Sequence, residues 1–137
     1  MTPTRLPPTL VAGIGCRRGC SAESLLALIE SSLKDHRLGV QAITALASID
    51  LKSSEPGLFE LAETLGLPLV VFSADELARF EPQLSHRSMA AFEATGCYGV
   101  AESAALALAS QLLDASPRLM ITRCKTRDAT FALAGLL

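Results

Sequence analysis

The sequence is short of aromatic residues: 137 residues contain no tryptophan, one tyrosine and 4% aromatics in all. Its core must therefore be built from small and aliphatic side chains, chiefly alanine and leucine, a composition that suits helices packed closely on a sheet. Long apolar runs are also missing. None approaches the ~20 residues that a membrane span needs, and the N-terminal MTPTRLPPTL has prolines but no continuous apolar segment, so no signal peptide is expected. The expectation is a cytoplasmic protein with no membrane partner. The four cysteines, Cys16, Cys20, Cys97 and Cys124, form no C-x-x-C pair and match no zinc spacing. Neither a metal site nor a disulfide framework is expected, and nothing calls for a cofactor. With only His36 and His86, a serine or cysteine nucleophile has few possible bases. His36 reads as a helix-end residue and His86 as a surface one. A net charge of −2 argues against general binding of nucleic acid.

Half of the residues are hydrophobic, enough for one domain with a real core. Residues 1–8 read as a proline-containing lead-in and 9–137 as the folded domain. Thr9–Ile14 reads as a short buried strand. Ser21 is a natural N-cap for a helix whose apolar face carries Ala22, Leu25, Leu26, Ile29 and Leu33. Ala42–Ile49 suits a second strand, and Leu58, Leu61, Ala62 and Leu65 mark a second helix closed by Gly66. Leu67–Phe72 is the clearest strand, followed by a capping box at Ser73-Ala74-Asp75-Glu76. Further helices are expected from about Ser85 to Ala94 and over Glu102–Leu113, separated by a glycine-punctuated loop. Arg118–Cys124 and Thr130–Ala134 read as an antiparallel hairpin turning around Lys125–Asp128. Alternation of strands and helices implies right-handed crossovers. The expected fold is a three-layer α/β/α domain with a mixed, mostly parallel sheet of about five strands.

Ligands of such sheets bind outside the carboxyl ends of the strands, which points to three polar loops: Gly15–Cys20, Asp50–Gly57 and the residues after Phe72. The first places backbone N–H groups at a helix start, an arrangement suited to anions, beside Arg17 and Arg18. A second basic segment, Arg118, Arg123, Lys125 and Arg127, lies near the C-terminus, and arginine presents a planar fork matched to carboxylate or phosphate. Nucleotide motifs are incomplete. Arg18 stands where the third glycine after Gly13-x-Gly15 would be, and no G-x-x-x-x-G-K-[ST] loop occurs. A nucleotide- or phosphate-binding domain remains an alternative. A thiolate at Cys16 or Cys20 would be favoured by the helix start and the arginines, but no histidine is close in sequence.

Four blocks carry a resemblance: G-I-G-C-R-R-G (13–19), A-S-I-D-L-K (47–52), E-x-G-L (55–58) and G-V-A-E-x-A-A-L (99–106). In order and spacing they resemble the cobalamin-biosynthesis family that contains CobE and the C-terminal domain of CbiG, the cobalt-precorrin-5A hydrolase. The resemblance covers about residues 9–135. The chain's length fits the stand-alone form, since the hydrolase has additional N-terminal domains. The resemblance implies a role in corrin-ring construction, with a precorrin-type tetrapyrrole or corrinoid as ligand and other cobalamin-biosynthesis enzymes as partners. The ligand's carboxylates would be met by Gly15, Cys16, Arg17, Arg18, Ser21, Lys52, Arg123 and Lys125. The family also implies a second possibility, a hydrolase that opens the precorrin lactone with loss of a two-carbon fragment. Asp50 or Glu102 would then activate water, and Lys52 or Arg17 would stabilise the oxyanion.

Overall fold

The computed structural model describes residues 9–50, 55–113 and 116–136. Strand β1 (Leu10–Cys16) leads into helix α1 (Ala22–Lys34), and β2 (Ala45–Ile49) is followed by α2 (Pro56–Leu65) and β3 (Leu69–Phe72). Three helices come next, α3 (Ala74–Ala78), α4 (Met89–Thr95) and α5 (Val100–Leu112), and a hairpin of β4 (Arg118–Lys125) and β5 (Ala129–Gly135) completes the described chain. The five strands form one mixed sheet in the order β3-β2-β1-β5-β4. Strands β1, β2 and β3 run parallel, and β5 lies antiparallel between β1 and β4. Strand β4 consequently points the same way as β1, and the β4–β5 turn comes to the edge where β1 ends.

Alternation along β1 divides the core. Ala12 and Ile14 face α1 and α2, joining Leu25, Ile29, Leu33, Leu58 and Phe131. Val11 faces the other side, where Ala104, Ala105 and Leu108 of α5 pack with Leu77 of α3. Every residue of α5 from Val100 to Ala109 is buried, which its alanine content makes possible. The approach of α5 to the sheet depends on Gly13, where a Cβ would fall 1.8 Å from the Ala101 carbonyl oxygen. Gly57 serves the same purpose between α2 and the start of α1, since a Cβ there would meet the Cys20 carbonyl oxygen at 2.1 Å.

Local signals act as their chemistry dictates. Ser21 accepts from the Ser24 amide at 3.1 Å and caps α1. The capping box is complete in both directions between Ser73 and Glu76, and Gly66 closes α2 with a left-handed φ of 66°. Strand β1 runs on through Gly15 and Cys16, residues expected in the loop, β3 begins at Leu69 and α5 at Val100; the two largest boundary shifts lie elsewhere. Val40–Ala42 is a short 3-10 turn, so β2 begins at Ala45. Helix α4 begins at Met89 with Ser88 as its cap; the expected start at Ser85 fails because that residue's amide and hydroxyl are both held by Glu102. Among the described residues, no helix is long and apolar enough to cross a membrane.

Candidate ligand-binding site

A cavity of about 530 Å³ opens at the sheet edge where β1 and β4 end. Its floor is the end of β1 and the first turn of α5. Gly15 keeps that floor low, since a Cβ there would stand 2.5 Å from Thr130 Oγ1 and 3.5 Å from Val100 Cβ. One wall joins the two basic segments. The Arg17 amide donates to the Asp128 carbonyl at 2.8 Å, so the loop after β1 continues the β1–β5 ladder into the hairpin turn. The loop itself is held by Gly19, in the left-handed region at φ 81°, whose amide donates to Glu55 Oε1 at 2.8 Å. The opposite wall is α4 with its flanks: Ala90, Ala91 and Ala94 present a smooth apolar surface, and Tyr98 completes it. The Tyr98 ring stacks on Phe92 with centroids 4.4 Å apart and planes 18° apart, and the Ser88 amide donates to the Tyr98 carbonyl at 2.9 Å.

Five cationic residues line this cavity: Arg17, Arg18, Arg123, Lys125 and Arg127. Among the described residues the one ion pair is Arg87 with Glu81, at 3.9 Å, and neither residue is part of the cavity lining. None of the five forms an ion pair with a described acid, and the acidic residues Glu102 and Asp128 line the same cavity. Arg123 is the half-buried member, and its Nε is the one buried side-chain nitrogen or oxygen among the described residues with no hydrogen-bond partner. Leaving a buried donor unpaired costs about 1–3 kcal/mol, more when charged, so Arg123 is the member of the cluster whose side chain is held at a cost.

Glu102 sits on the same cavity with 1% of its surface exposed. Its Oε1 accepts from the Ser85 amide at 2.8 Å, and its Oε2 from the Arg123 amide at 2.9 Å and from the Ser85 hydroxyl. The first turn of α5, where helix N–H groups favour a negative charge, adds to this. Cys20 is buried beside the loop. Burial first, then the carboxylates of Asp128 and Glu55, push its thiol pKa up. That is the reverse of the activation its position at a helix start suggests, so Cys20 is a protonated thiol at neutral pH.

Of the residues singled out in the sequence, Gly15, Cys16, Arg17, Arg18, Glu102, Arg123 and Lys125 come together on this one cavity. Asp50 is exposed at the end of β2 and Ser21 is the cap of α1; neither is on the cavity wall. Lys52 lies outside the described residues. Arg118 does not join the basic cluster, because it pairs with Gly135 at the opposite end of β4. The alanine face of α4 carried no chemical signal in the sequence. Among the described residues, no group of three or more His, Cys, Asp or Glu is placed to hold a metal ion.

Residues 10–134 match the family described as Cobalamin synthesis G C-terminus. The chain is 33% identical over 132 residues to Protein CobE of Sinorhizobium sp, covering 96% of this chain and 83% of that one. It is 34% identical over 128 residues to the cobalt-precorrin-5A hydrolase of Priestia megaterium, but spans only 32% of that protein. Among solved structures, that of CobE, a protein from the cobalamin (vitamin B12) biosynthetic pathway, superposes with a TM-score of 0.92 at 46% identity, covering 98% of this chain and 95% of that one. The cobalamin biosynthesis protein chiG of Agrobacterium tumefaciens str. C58 gives a TM-score of 0.70 at 29% identity, with 93% and 98% covered.

Proposed function

Because the chain belongs to the CobE and CbiG C-terminal family of cobalamin biosynthesis, we propose that its cavity binds a precorrin-type tetrapyrrole or corrinoid. The protein then assists that intermediate's processing or its transfer to another enzyme of the pathway. The observation that carries this reading is the gathering of five cationic residues on one cavity, none of them in an ion pair with a described acid. Such an array suits an anion with several separated charges. The facing wall of Ala90, Ala91, Ala94 and Tyr98 suits a flat, largely apolar body. A macrocycle fringed with acetate and propionate groups has both properties. The volume falls in the ordinary range of small-molecule sites, about 300–1,000 Å³.

Two observations weigh toward binding and away from opening of a lactone. Asp50 is off the cavity wall, and both oxygens of Glu102 accept from protein donors.

The test is titration with a hydrogenobyrinic-type corrinoid, followed by its visible spectrum, beside the same compound with its carboxylates esterified. The free acid is expected to shift and saturate, and the ester to stay silent. Equal binding of both, or of neither, overturns the reading. If millimolar nucleotides raise the melting temperature where the corrinoid does not, the phosphate-binding alternative takes its place. Release of a two-carbon fragment from a lactone-bearing precorrin by this chain alone would establish the hydrolase.

A further inference from the structure

The pairing of β4 with β5 is interrupted where the cavity needs it to be. Ile121 faces Leu133 and Cys124 faces Phe131, so Thr122 and Arg123 together stand opposite Ala132 alone. A bulge of this kind frees a backbone N–H from the ladder and redirects a side chain. The freed N–H of Arg123 is the one that donates to Glu102 Oε2. The same carboxylate holds Ser85 through amide and hydroxyl. Ser85 gives its single hydrogen to Glu102, and His86 Nδ1 lies 2.6 Å from the Ser85 oxygen, a contact that its Nδ1–H tautomer completes as donor. The result is one chain of bonds from surface histidine to serine, to buried carboxylate, to the backbone of the half-buried arginine.

We infer that Glu102 is a positioning residue: through the bulged Arg123 amide it holds Arg123 where its guanidinium meets a ligand carboxylate. This rests on the proposed tetrapyrrole reading and assigns Arg123 as that site's anchor. Three features support it. The carboxylate's oxygens are occupied by protein donors, so its charge acts on the protein. The bulge gives Arg123 no other way to settle its amide within the sheet. And Arg123 lines the cavity without an ion pair to any described acid, so the residue is fixed at its backbone while its charge is left uncompensated.

The test is a double-mutant cycle on corrinoid affinity with Glu102→Ala and Arg123→Ala. Alanine keeps the helix propensity of α5 while removing the tether. Arg123→Ala is expected to weaken binding by about tenfold or more, the usual weight of a charge-assisted hydrogen bond. Glu102→Ala should weaken it comparably in the wild-type background and by less than about twofold when Arg123 is already alanine. Equal losses in both backgrounds overturn the inference, because Glu102 would then act on the α4 wall or on stability alone. If the wild-type protein binds no corrinoid, the functional reading falls and the inference with it. Should Glu102→Ala fail to fold, amide exchange on the wild-type protein decides: the Arg123 amide, although off the ladder, should exchange slowly. A fast-exchanging Arg123 amide overturns the proposal.

Discussion

Gly13 and Ala101 meet with no room between strand and helix: the position of a Cβ on Gly13 lies 1.8 Å from the Ala101 carbonyl oxygen and 2.8 Å from the Ala105 amide nitrogen. Both neighbours are backbone atoms of a helix buried along ten residues, so neither yields by rotating a side chain. Gly13→Ala is therefore expected to destabilise the fold by about 3 kcal/mol or more, at the upper end of overpacking effects. It should also abolish ligand binding, because the first turn of α5 forms part of the cavity. Denaturant unfolding checks the first claim. A variant of wild-type stability would show that α5 can lift from the sheet.

Arg17 and Arg18 are exposed, and exposed substitutions usually change stability by less than about 0.5 kcal/mol. Arg17→Ala with Arg18→Ala should leave the melting temperature nearly unchanged. Corrinoid affinity should fall by about tenfold, and the loss should shrink as salt rises from low to high concentration. Calorimetry at two ionic strengths checks this. Undiminished affinity in the double variant removes this loop from the site.

The thiol of Cys20 has its pKa raised in the folded protein by burial and by Asp128 and Glu55. The native state therefore keeps its proton at pH values where the unfolded chain, with a thiol pKa of about 8.5, has lost it. The resulting contribution to stability is fully present below about pH 8.5 and is lost as pH rises through the folded-state value. Unfolding midpoints measured from pH 7 to 10 should fall more steeply for the wild type than for Cys20→Ser. At pH 8, Cys20 should react with a disulfide reagent more slowly than a free thiol; fast labelling would contradict the assigned burial and charge.

Ser88 caps α4 by accepting from the Ala91 amide at 3.1 Å, and α4 has no fully buried residue of its own. Ser88→Ala should cost about 1 kcal/mol, as loss of a serine cap usually does. The cost falls locally, so amides of α4 should exchange faster while those of α5 keep their protection. Uniform loss of protection across both helices would mean that α4 is welded to the core.

Much of this architecture is written in short-range chemistry. The Ser73 capping box, the Gly66 helix stop and the hairpin turn depend on residues a few positions apart, and each appears where its spacing predicts. What is long-range is less legible. The start of α4 depends on Glu102 capturing Ser85 from 17 residues away, which no local pattern announces. The candidate site shows the same limit. Gathering of loops at strand ends points equally to the loops after β1, β2 and β3. The cavity instead lies toward β4, because β5 inserts beside β1 and carries the hairpin turn to Arg17. That strand order is why Asp50 is left outside while Arg123, Lys125 and Arg127 are brought in.

Tyr98 is the one tyrosine of a chain without tryptophan, and it stands on the cavity wall, stacked on Phe92. All indole- and phenol-type ultraviolet emission of the folded molecule thus originates on the wall of the candidate cavity. A bound corrinoid absorbs in the near ultraviolet and would draw off that excitation by energy transfer over a few ångströms. If the proposed ligand binds in this cavity, its occupancy can be read from tyrosine emission without a label.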